Sequence, residues 1–249
     1  MQTNKQYEIE ELIWDTKFFG VKSAKVILNN SIDEQDIKKI LTEIEEKGYE
    51  FLTINNVGNN DNNNYMLKNI PDVFLTDVNI QFEKKTENKK ERDNNVSIHN
   101  NFEYNEEILK ISRNSFIYSR FMNDLNLKNS SDVYVEWTKN AFNREDKYFC
   151  TYKTDDQVLG YLLFSINNKF LTIELIAVDN NCKGKGIGKK LINKVEDFAY
   201  LNNISIIKVG TQLNNIYAQN FYINSGFRHI TNNSIYHLWL RGRNKWRSV

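Results

Sequence analysis

The residues of this chain whose types and spacing best suit chemistry are Lys183-Gly184-Lys185-Gly186-Ile187-Gly188. They stand between a β-branched, apolar stretch ending at Val178 and a run, Leu191, Ile192, Val195, Phe198 and Ala199, with the spacing of one helix face. A strand, a glycine turn and a helix in that order can aim several backbone N–H groups and a helix N-terminus at one anion. Glycine permits this because it tolerates positive φ and lets a ligand approach the backbone. Phosphate binding is the chemistry expected. Two other phosphate loops fail on spacing: a Walker A loop requires glycine at 183 and Ser or Thr at 190, where lysines stand. The dinucleotide fingerprint requires glycine at 189 or at 191, where Lys and Leu stand.

The elements that must position this loop are a strand over Lys169 to Val178, a helix over about 189 to 202 and a strand over Ile204 to Val209, after which Asn215 opens a last helix. Upstream, Tyr148 to Tyr152 and Val158 to Ile166 form a hairpin around Thr154-Asp-Asp156, and the strand from Lys169 follows the Asn167-Asn168 turn. Tyr104 to Phe121 and Ser131 to Phe142 have helical periodicity. Near the N-terminus an aromatic turn, Leu12 to Gly20, precedes an alternating strand to Leu28. Ser31 or Asp33 then caps a helix carrying Ile37, Ile40, Leu41 and Ile44, ended by Gly48. Phe51 to Ile54 and Val78 to Phe82 are strands, the asparagine-rich Gly58 to Asn64 a loop, and the charged Glu83 to Asn95 a solvated linker carrying the domain boundary.

A chain of 249 residues with 40% hydrophobic content has room for one large domain or two small ones. A formal net charge of +1 excludes the extended basic face of a nucleic-acid binder, while lysines at 183, 185, 189 and 190 suit one small anion. No apolar run approaches the ~20 residues that span a bilayer, and the N-terminus lacks a signal-peptide core, so no membrane partner and a cytoplasmic location are expected. Two cysteines make no disulfide framework, and no Cys/His cluster offers metal spacing, so no metal is expected. Cys182 could act as a thiolate nucleophile or simply fill the turn.

The loop resembles the pyrophosphate loop of the GNAT acyltransferase superfamily, with Lys183 in a place usually held by Arg or Gln. A second block, Gln212, Asn215, Ala218, Phe221, Tyr222, Gly226 and Phe227, is similar to the other characteristic GNAT segment and lies one helix and one strand downstream. The resemblance implies an α/β (α+β) GNAT fold, a mixed and mostly antiparallel sheet with helices on both faces, over residues 96–249. It implies acetyl-CoA as acyl donor, with residues 183–188 and Lys189 at the pyrophosphate, the strand end Ile176, Ala177 and Val178 at the pantetheine arm and the thioester oxygen, and Asn215, Ala218 and Tyr222 along the arm. Asn215 reads equally as a helix N-cap, and Tyr222, the general acid for the leaving sulfur, reads otherwise as core packing. Glu174, four residues before Val178 and taken to share its strand face, is the candidate base, against an ordinary exposed strand Glu.

Trp14-Asp-Thr-Lys-Phe-Phe-Gly20, Ser119-Arg-Phe-Met-Asn-Asp124 and Val133-Tyr-Val-Glu-Trp137 narrow the resemblance. Together they are similar to the branch that N-acetylates nucleotide-linked amino sugars, the dTDP-fucosamine acetyltransferase type, which serves surface polysaccharide biosynthesis. In that branch a smaller, truncated GNAT-like domain, here 1–90, precedes the full one and contributes to acceptor binding. Phe19, Arg120 and Phe121 are the corresponding substrate-binding candidates. The aromatic residues read alternatively as core, and Arg120 as the i,i+4 partner of Asp124. The branch implies direct attack of the amine through a tetrahedral intermediate. Acetylation of another small-molecule or protein amine, a CoA-binding sensor without turnover, and a homodimer all stay open. His99, His229 and His237 fall in no constellation.

Overall fold

The computed structural model describes residues 5–155, 157–167 and 170–240. They form two compact units that are not consecutive stretches of chain. One takes residues up to Ile80, Arg120–Lys128 and those from Thr231 on; the other takes Gln81–Ser119 and Asn129–Ile230. The division expected within 83–95 thus falls at 80/81. Two long strands, β4 (Val73–Lys85) and β10 (Arg228–Trp239), each contribute residues to both units.

The first unit contains β1 (Tyr7–Glu11), α1 (Ile13–Phe19), β2 (Ser23–Leu28), α2 (Glu34–Glu46), β3 (Phe51–Asn56) and α3 (Asp61–Leu67). Its strands run in the order β1-β2-β3-β10-β4. β1 is antiparallel to β2, β2 parallel to β3 and β3 antiparallel to β10. The parallel β2–β3 pair requires a crossover, and α2 supplies it. Asp33 starts α2 with a reciprocal capping box on Asp36, and its Ile40 and Ile44 are buried against Val26, Leu52 and Leu238. The aromatic turn at 12–20 is a short helix, ended by Gly20 in the left-handed region at φ +67°. The asparagine-rich segment is not a loop throughout: Asn60 caps α3 by accepting from the Asn63 N–H. Asn63, fully buried, accepts from Ile32 N and donates to Asn30 O and Asn56 Oδ1. Side-chain amides that find partners this way are compatible with a helix as well as with a turn.

The second unit contains β5 (Val96–Asn100), α4 (Glu106–Arg113), α5 (Val133–Ala141), β6 (Tyr148–Thr154), β7 (Gln157–Asn167), β8 (Phe170–Val178), α6 (Ile187–Leu201), β9 (Ile206–Gln212) and α7 (Ile216–Asn224). Its strand order is β4-β9-β8-β7-β6-β5, with β5 to β8 antiparallel and β8 parallel to β9. Strand alternation sends Phe149, Tyr161 and Leu163 into a core with Ile108, Leu109, Tyr134 and Val135 of α4 and α5. Their neighbours Tyr148 and Phe164 face Phe198 of α6 on the other side. Helices therefore cover both faces of this mixed sheet. The hairpin position Asp156 and the turn residues Asn168 and Lys169 lie outside the described residues.

Two further expectations change. The helix read over 104–121 stops at Arg113, and Asn114 is its C-cap. Asn114 and Ser115 have short polar side chains that compete for the backbone, and their N–H groups bond three residues back, to Ile111 and Ser112, while Ser115 Oγ donates to the Ile111 carbonyl. The charged segment 83–95 is solvated but is not a free linker. Asp197 on α6 accepts from the backbone N–H groups of Lys89, Lys90 and Glu91, Glu196 accepts from Glu87 N, and Lys190 pairs with Asp93. The segment stays largely exposed, as its charge implies, but it is fastened along one face of α6.

Candidate active site

The site begins with a change of register in β8. Ile173 stands opposite Phe164 on β7, and Leu175 stands opposite Leu163, so Glu174 is an extra residue, a β-bulge. On the other side of β8 the parallel ladder with β9 holds Leu171–Ile207, Thr172–Lys208 and Ile173–Val209, then stops. Beyond the bulge, residues 175–178 pair with β7 alone. The two strands part, and a cleft of about 600 Å³ opens beside the freed edge of β8. Both predicted catalytic residues and every predicted cofactor-binding residue except Lys185 line it.

At the end of β8 the glycine turn does two separate jobs. Gly184 and Gly186 both hold φ near +79°, and a Cβ at either would meet nothing within 4 Å. Their backbone is thus open, as close approach of an anion requires. Gly188, in the first turn of α6, has ordinary φ, and a Cβ there would come within 3.1 Å of the Phe221 ring. It lets α6 and α7 approach. Lys185 does not border the cleft, its Nζ lying 3.9 Å from Cys182 Sγ, and Lys190 is engaged by Asp93, so of the four lysines Lys183 and Lys189 line the cleft. Cys182 is a buried turn filler rather than an exposed nucleophile.

A buried ion pair sets the two helices that frame the cleft. Lys84 Nζ on β4 lies 2.6 Å from Glu196 Oε2 of α6 and donates at 2.7 Å to the Ser225 carbonyl that ends α7. Both charged groups are almost wholly removed from water, so each needs the other. No sequence pattern marks this pair.

On α7, Asn215 accepts from the Ala218 N–H at 3.1 Å, so it is an N-cap, and its side-chain amide N–H₂ keeps its donors for a ligand. Tyr222 is 4% exposed, with its ring among Phe82, Phe221 and Phe227. Burial raises the phenol above its ordinary value, which keeps the proton on the oxygen. Glu174 corrects the sequence reading. The bulge turns its side chain to the α5 face, with Leu175 and Ala177 rather than with Val178, where Oε2 accepts from the Trp137 indole at 3.1 Å and Oε1 pairs with Lys147. It is neither exposed nor free. The same end of the cleft is walled by Phe116 and Tyr134, whose rings lie 4.9 Å apart, and Gln212 donates to the Tyr134 hydroxyl at 3.0 Å. Sequence reasoning misses Phe116 and Tyr134 as wall residues and Lys147 as the partner of Glu174, since these contacts depend on how α4 and α5 pack on the sheet.

The substrate-binding candidates gather in the first unit. Phe19 on α1 and Phe121 lie with ring centroids 5.6 Å apart, and the Arg120 guanidinium stands 4.1 Å over the Phe121 ring. Two sequence blocks about a hundred residues apart thus meet. Arg120 does not pair with Asp124, which instead holds His237 and Trp239.

Residues 107–227 match the sequence profile of the acetyltransferase (GNAT) family. The spore coat polysaccharide biosynthesis protein SpsD of Bacillus subtilis is 28% identical over 136 residues, 54% of this chain and 47% of that protein. N-acetylaspartate synthetase of Xenopus tropicalis is 38% identical over 78 residues, 30% of this chain and 29% of that one. The matched stretches therefore span about half or less of these relatives. Among solved structures, a functionally unknown conserved protein from Staphylococcus epidermidis covers 96% of this chain and 93% of its own, with a TM-score of 0.65 at 11% identity. A GCN5-related N-acetyltransferase from Sphaerobacter thermophilus covers 94% and 76%, with a TM-score of 0.61 at 8% identity. At such identities these two likenesses concern the fold alone. The parted strands, the glycine turn and the Asn215–Tyr222 helix all fall within the stretch that carries the family profile, and the chain belongs to the GNAT N-acetyltransferase superfamily.

Proposed function

We propose that this chain is an acetyl-CoA-dependent N-acetyltransferase whose acceptor is the amine of a nucleotide-linked, dTDP-type amino sugar destined for a surface polysaccharide or glycan. The observation that carries the acetyltransferase part is the bulge at Glu174, past which β8 leaves β9 and exposes a backbone edge between the glycine turn and Tyr222. The cleft fits a long, thin donor: the open-faced Gly184 and Gly186 admit a pyrophosphate at the start of α6, and Asn215 has amide donors for the arm. When bound, acetyl-CoA supplies the activated acetyl group.

The chain's own residues do the rest. Backbone N–H groups of residues 183–188 hold the pyrophosphate, and those freed along 176–178 stabilise the oxyanion of the tetrahedral intermediate, each such donor being worth ~10²–10³ in rate. Glu174 takes the proton of the attacking amine, directly or through water, while Lys147 and Trp137 fix its carboxylate. Tyr222 returns a proton to the departing sulfur. Phe19 and Arg120 bind the acceptor in the N-terminal unit, and Phe121, buried beneath the guanidinium, backs Arg120 rather than touching the acceptor. Support for the sugar branch comes from the blocks at 14–20 and 119–124 and from the relative named for spore coat polysaccharide biosynthesis. The location proposed is the cytoplasm; no helix among the described residues is long and apolar enough to cross a membrane.

A second reading, acetylation of a free amino acid, is favoured by the 38% identity to N-acetylaspartate synthetase over 78 residues. One assay separates the two. Thiol release from acetyl-CoA is measured with dTDP- and UDP-linked amino sugars, the free amino sugars and aspartate. Preference for a nucleotide conjugate is the expected result. Equal turnover of the free sugar and its conjugate, or turnover of aspartate alone, overturns the sugar-nucleotide assignment.

A further inference from the structure

His237, which no sequence pattern marks, is fully buried in the first unit, with Nδ1 at 2.8 Å from Asp124 Oδ2. Asp124 is 2% exposed and accepts two further hydrogen bonds, from the Trp239 indole at 2.9 Å and from the Asn126 N–H at 3.0 Å. A carboxylate so buried must be held by donors. The effect is to fasten the 120–127 turn to β10, and the turn is tightened by Asn123 N to Arg120 O, Asp124 N to Phe121 O and Asn123 Nδ2 to Thr76 O. Phe121, itself 2% exposed, is wedged between Phe19 and His237. Arg120 is the arm that this turn presents.

The arm is left uncommitted. Among the described residues the Arg120 guanidinium makes no hydrogen bond and no ion pair. Its Nε is buried without a partner, and so is His237 Nε2. The i,i+4 acid that would ordinarily neutralise it, Asp124, is already engaged by His237 and Trp239. Asp15 on α1 feels the guanidinium's charge, but burial outweighs that pull and raises its pKa, so it offers a weak counter-ion. A guanidinium stacked on an aromatic ring keeps the donors along its edge, and that edge matches two oxygens of one phosphate.

We propose that Asp124 and His237 are positioning residues which hold Arg120 unpaired over Phe121, so that its guanidinium takes the phosphate of the nucleotide-linked acceptor. The inference rests on the acceptor reading given above and adds the residues that prepare its phosphate contact. With Asp124 committed to His237 and Trp239 and the turn packed against β10, the guanidinium is kept from folding onto the protein.

The test is isothermal titration of the full chain with dTDP and with UDP as probes. Wild-type protein is expected to bind at least one of them. Arg120→Ala and Asp124→Asn should each weaken it about tenfold or more, the loss expected for one charge-assisted contact, and the double variant should be no weaker than Arg120→Ala alone. The acceptor KM should rise in both while kcat and acetyl-CoA affinity stay unchanged, a split that a general loss of folding would not give. Wild-type probe affinity in folded Asp124→Asn, or losses that add in the double variant, overturns the positioning role. Should Asp124→Asn fail to fold, Trp239→Phe removes one bond to the same carboxylate and keeps an aromatic ring. A graded loss of probe affinity is then expected, and none at all overturns the proposal. Wild-type protein that binds neither nucleotide overturns the acceptor reading itself, whereas binding indifferent to Arg120 overturns this inference alone.

Discussion

Replacing Tyr222 by Phe removes one oxygen from the site and little else. The ring keeps its neighbours, with centroids at 5.8 Å from Phe82, 5.4 Å from Phe221 and 5.7 Å from Phe227, and the hydroxyl makes no hydrogen bond among the described residues. The change should therefore cost less than the roughly 1 kcal/mol of a typical lost hydrogen bond, and Tm should barely move. The effect on rate is different in kind. Collapse toward the free thiolate places charge on sulfur in a cleft that the phenol borders, and general acid catalysis there is worth ~10²–10⁴ in kcat, or about 3–5 kcal/mol of barrier at about 1.36 kcal/mol per decade. Burial raises the phenol above its usual 10, so the acid form persists through neutral and mildly alkaline pH. Pre-steady-state thiol release at saturating acetyl-CoA is the assay. A kcat within about twofold of wild type when chemistry limits the rate refutes the assignment. An alkaline limb below about pH 9 that vanishes in the variant would keep the acid role and contradict only the upward shift that burial imposes on the phenol.

The remaining predictions test the frame. Gly186→Val should weaken acetyl-CoA binding at least about tenfold by titration, whereas Gly188→Ala sets an overpacking cost of about 1–3 kcal/mol from the 3.1 Å approach to Phe221 against a gain of about 0.5–1 kcal/mol for removing a helical glycine, read as a small net fall in Tm. Gly186→Val also forces a branched residue to positive φ, so its cost of about 1–2 kcal/mol must be measured alongside the binding loss. Burial lowers the His237 pKa and outweighs the opposing Asp124 bond. The unfolded chain therefore takes up a proton that the folded one resists, and stability present above the ordinary 6.5 is lost as pH falls below it. For Asp124, burial pushes upward but the bonds from His237 and Trp239 prevail, so a further loss follows below its ordinary 3.8. Thermal melts from about pH 7.5 downward should show the first decline, and His237→Asn should flatten it; a wild-type Tm constant from about pH 7.5 to about 5 contradicts the sign.

Local signals make much of this legible. The capping box at Asp33, the glycine turn and the Asn215 N-cap each depend on residues within a few positions of one another, and sequence spacing is enough to find such features. What stays hidden depends on distant partners. The ion pair of Lys84 with Glu196 joins residues 112 apart, and the Asp124–His237 bond joins residues 113 apart. Neither has a periodic signature. The segment 83–95 misleads for a related reason: its charge correctly signals solvent, but the bonds that fasten it to the complementary face of α6 stay hidden until that face is placed beside it. Composition reports polarity, and only the fold says whether water or another side chain satisfies it.

The bulge at Glu174 shows how far one residue can mislead and how it can be tested. The burial of β8 alternates without a break from Phe170 to Val178, so a strict period of two puts Glu174 on the face of Ile176 and Val178. The pairing is otherwise: Ile173 shares a face with Phe164 and Leu175 with Leu163, so the chain changes face at 174 while its burial pattern continues. Glu174 thus has two separable roles, as a carboxylate held by Lys147 and Trp137 and as the extra residue that ends the β8–β9 ladder at Ile173–Val209. Glu174→Gln keeps the extra residue, so it should lower kcat and leave acetyl-CoA affinity near wild type. Deletion of residue 174 removes the bulge. Ile173 and Leu175 then become neighbours in continuous register with β7, the ladder with β9 can extend, and the cleft closes. The deletion should abolish acetyl-CoA binding in a protein that still melts cooperatively, since the restored ladder adds backbone hydrogen bonds where the cleft had none. A folded deletion variant that binds acetyl-CoA as well as Glu174→Gln does would show that something other than the bulge parts the strands.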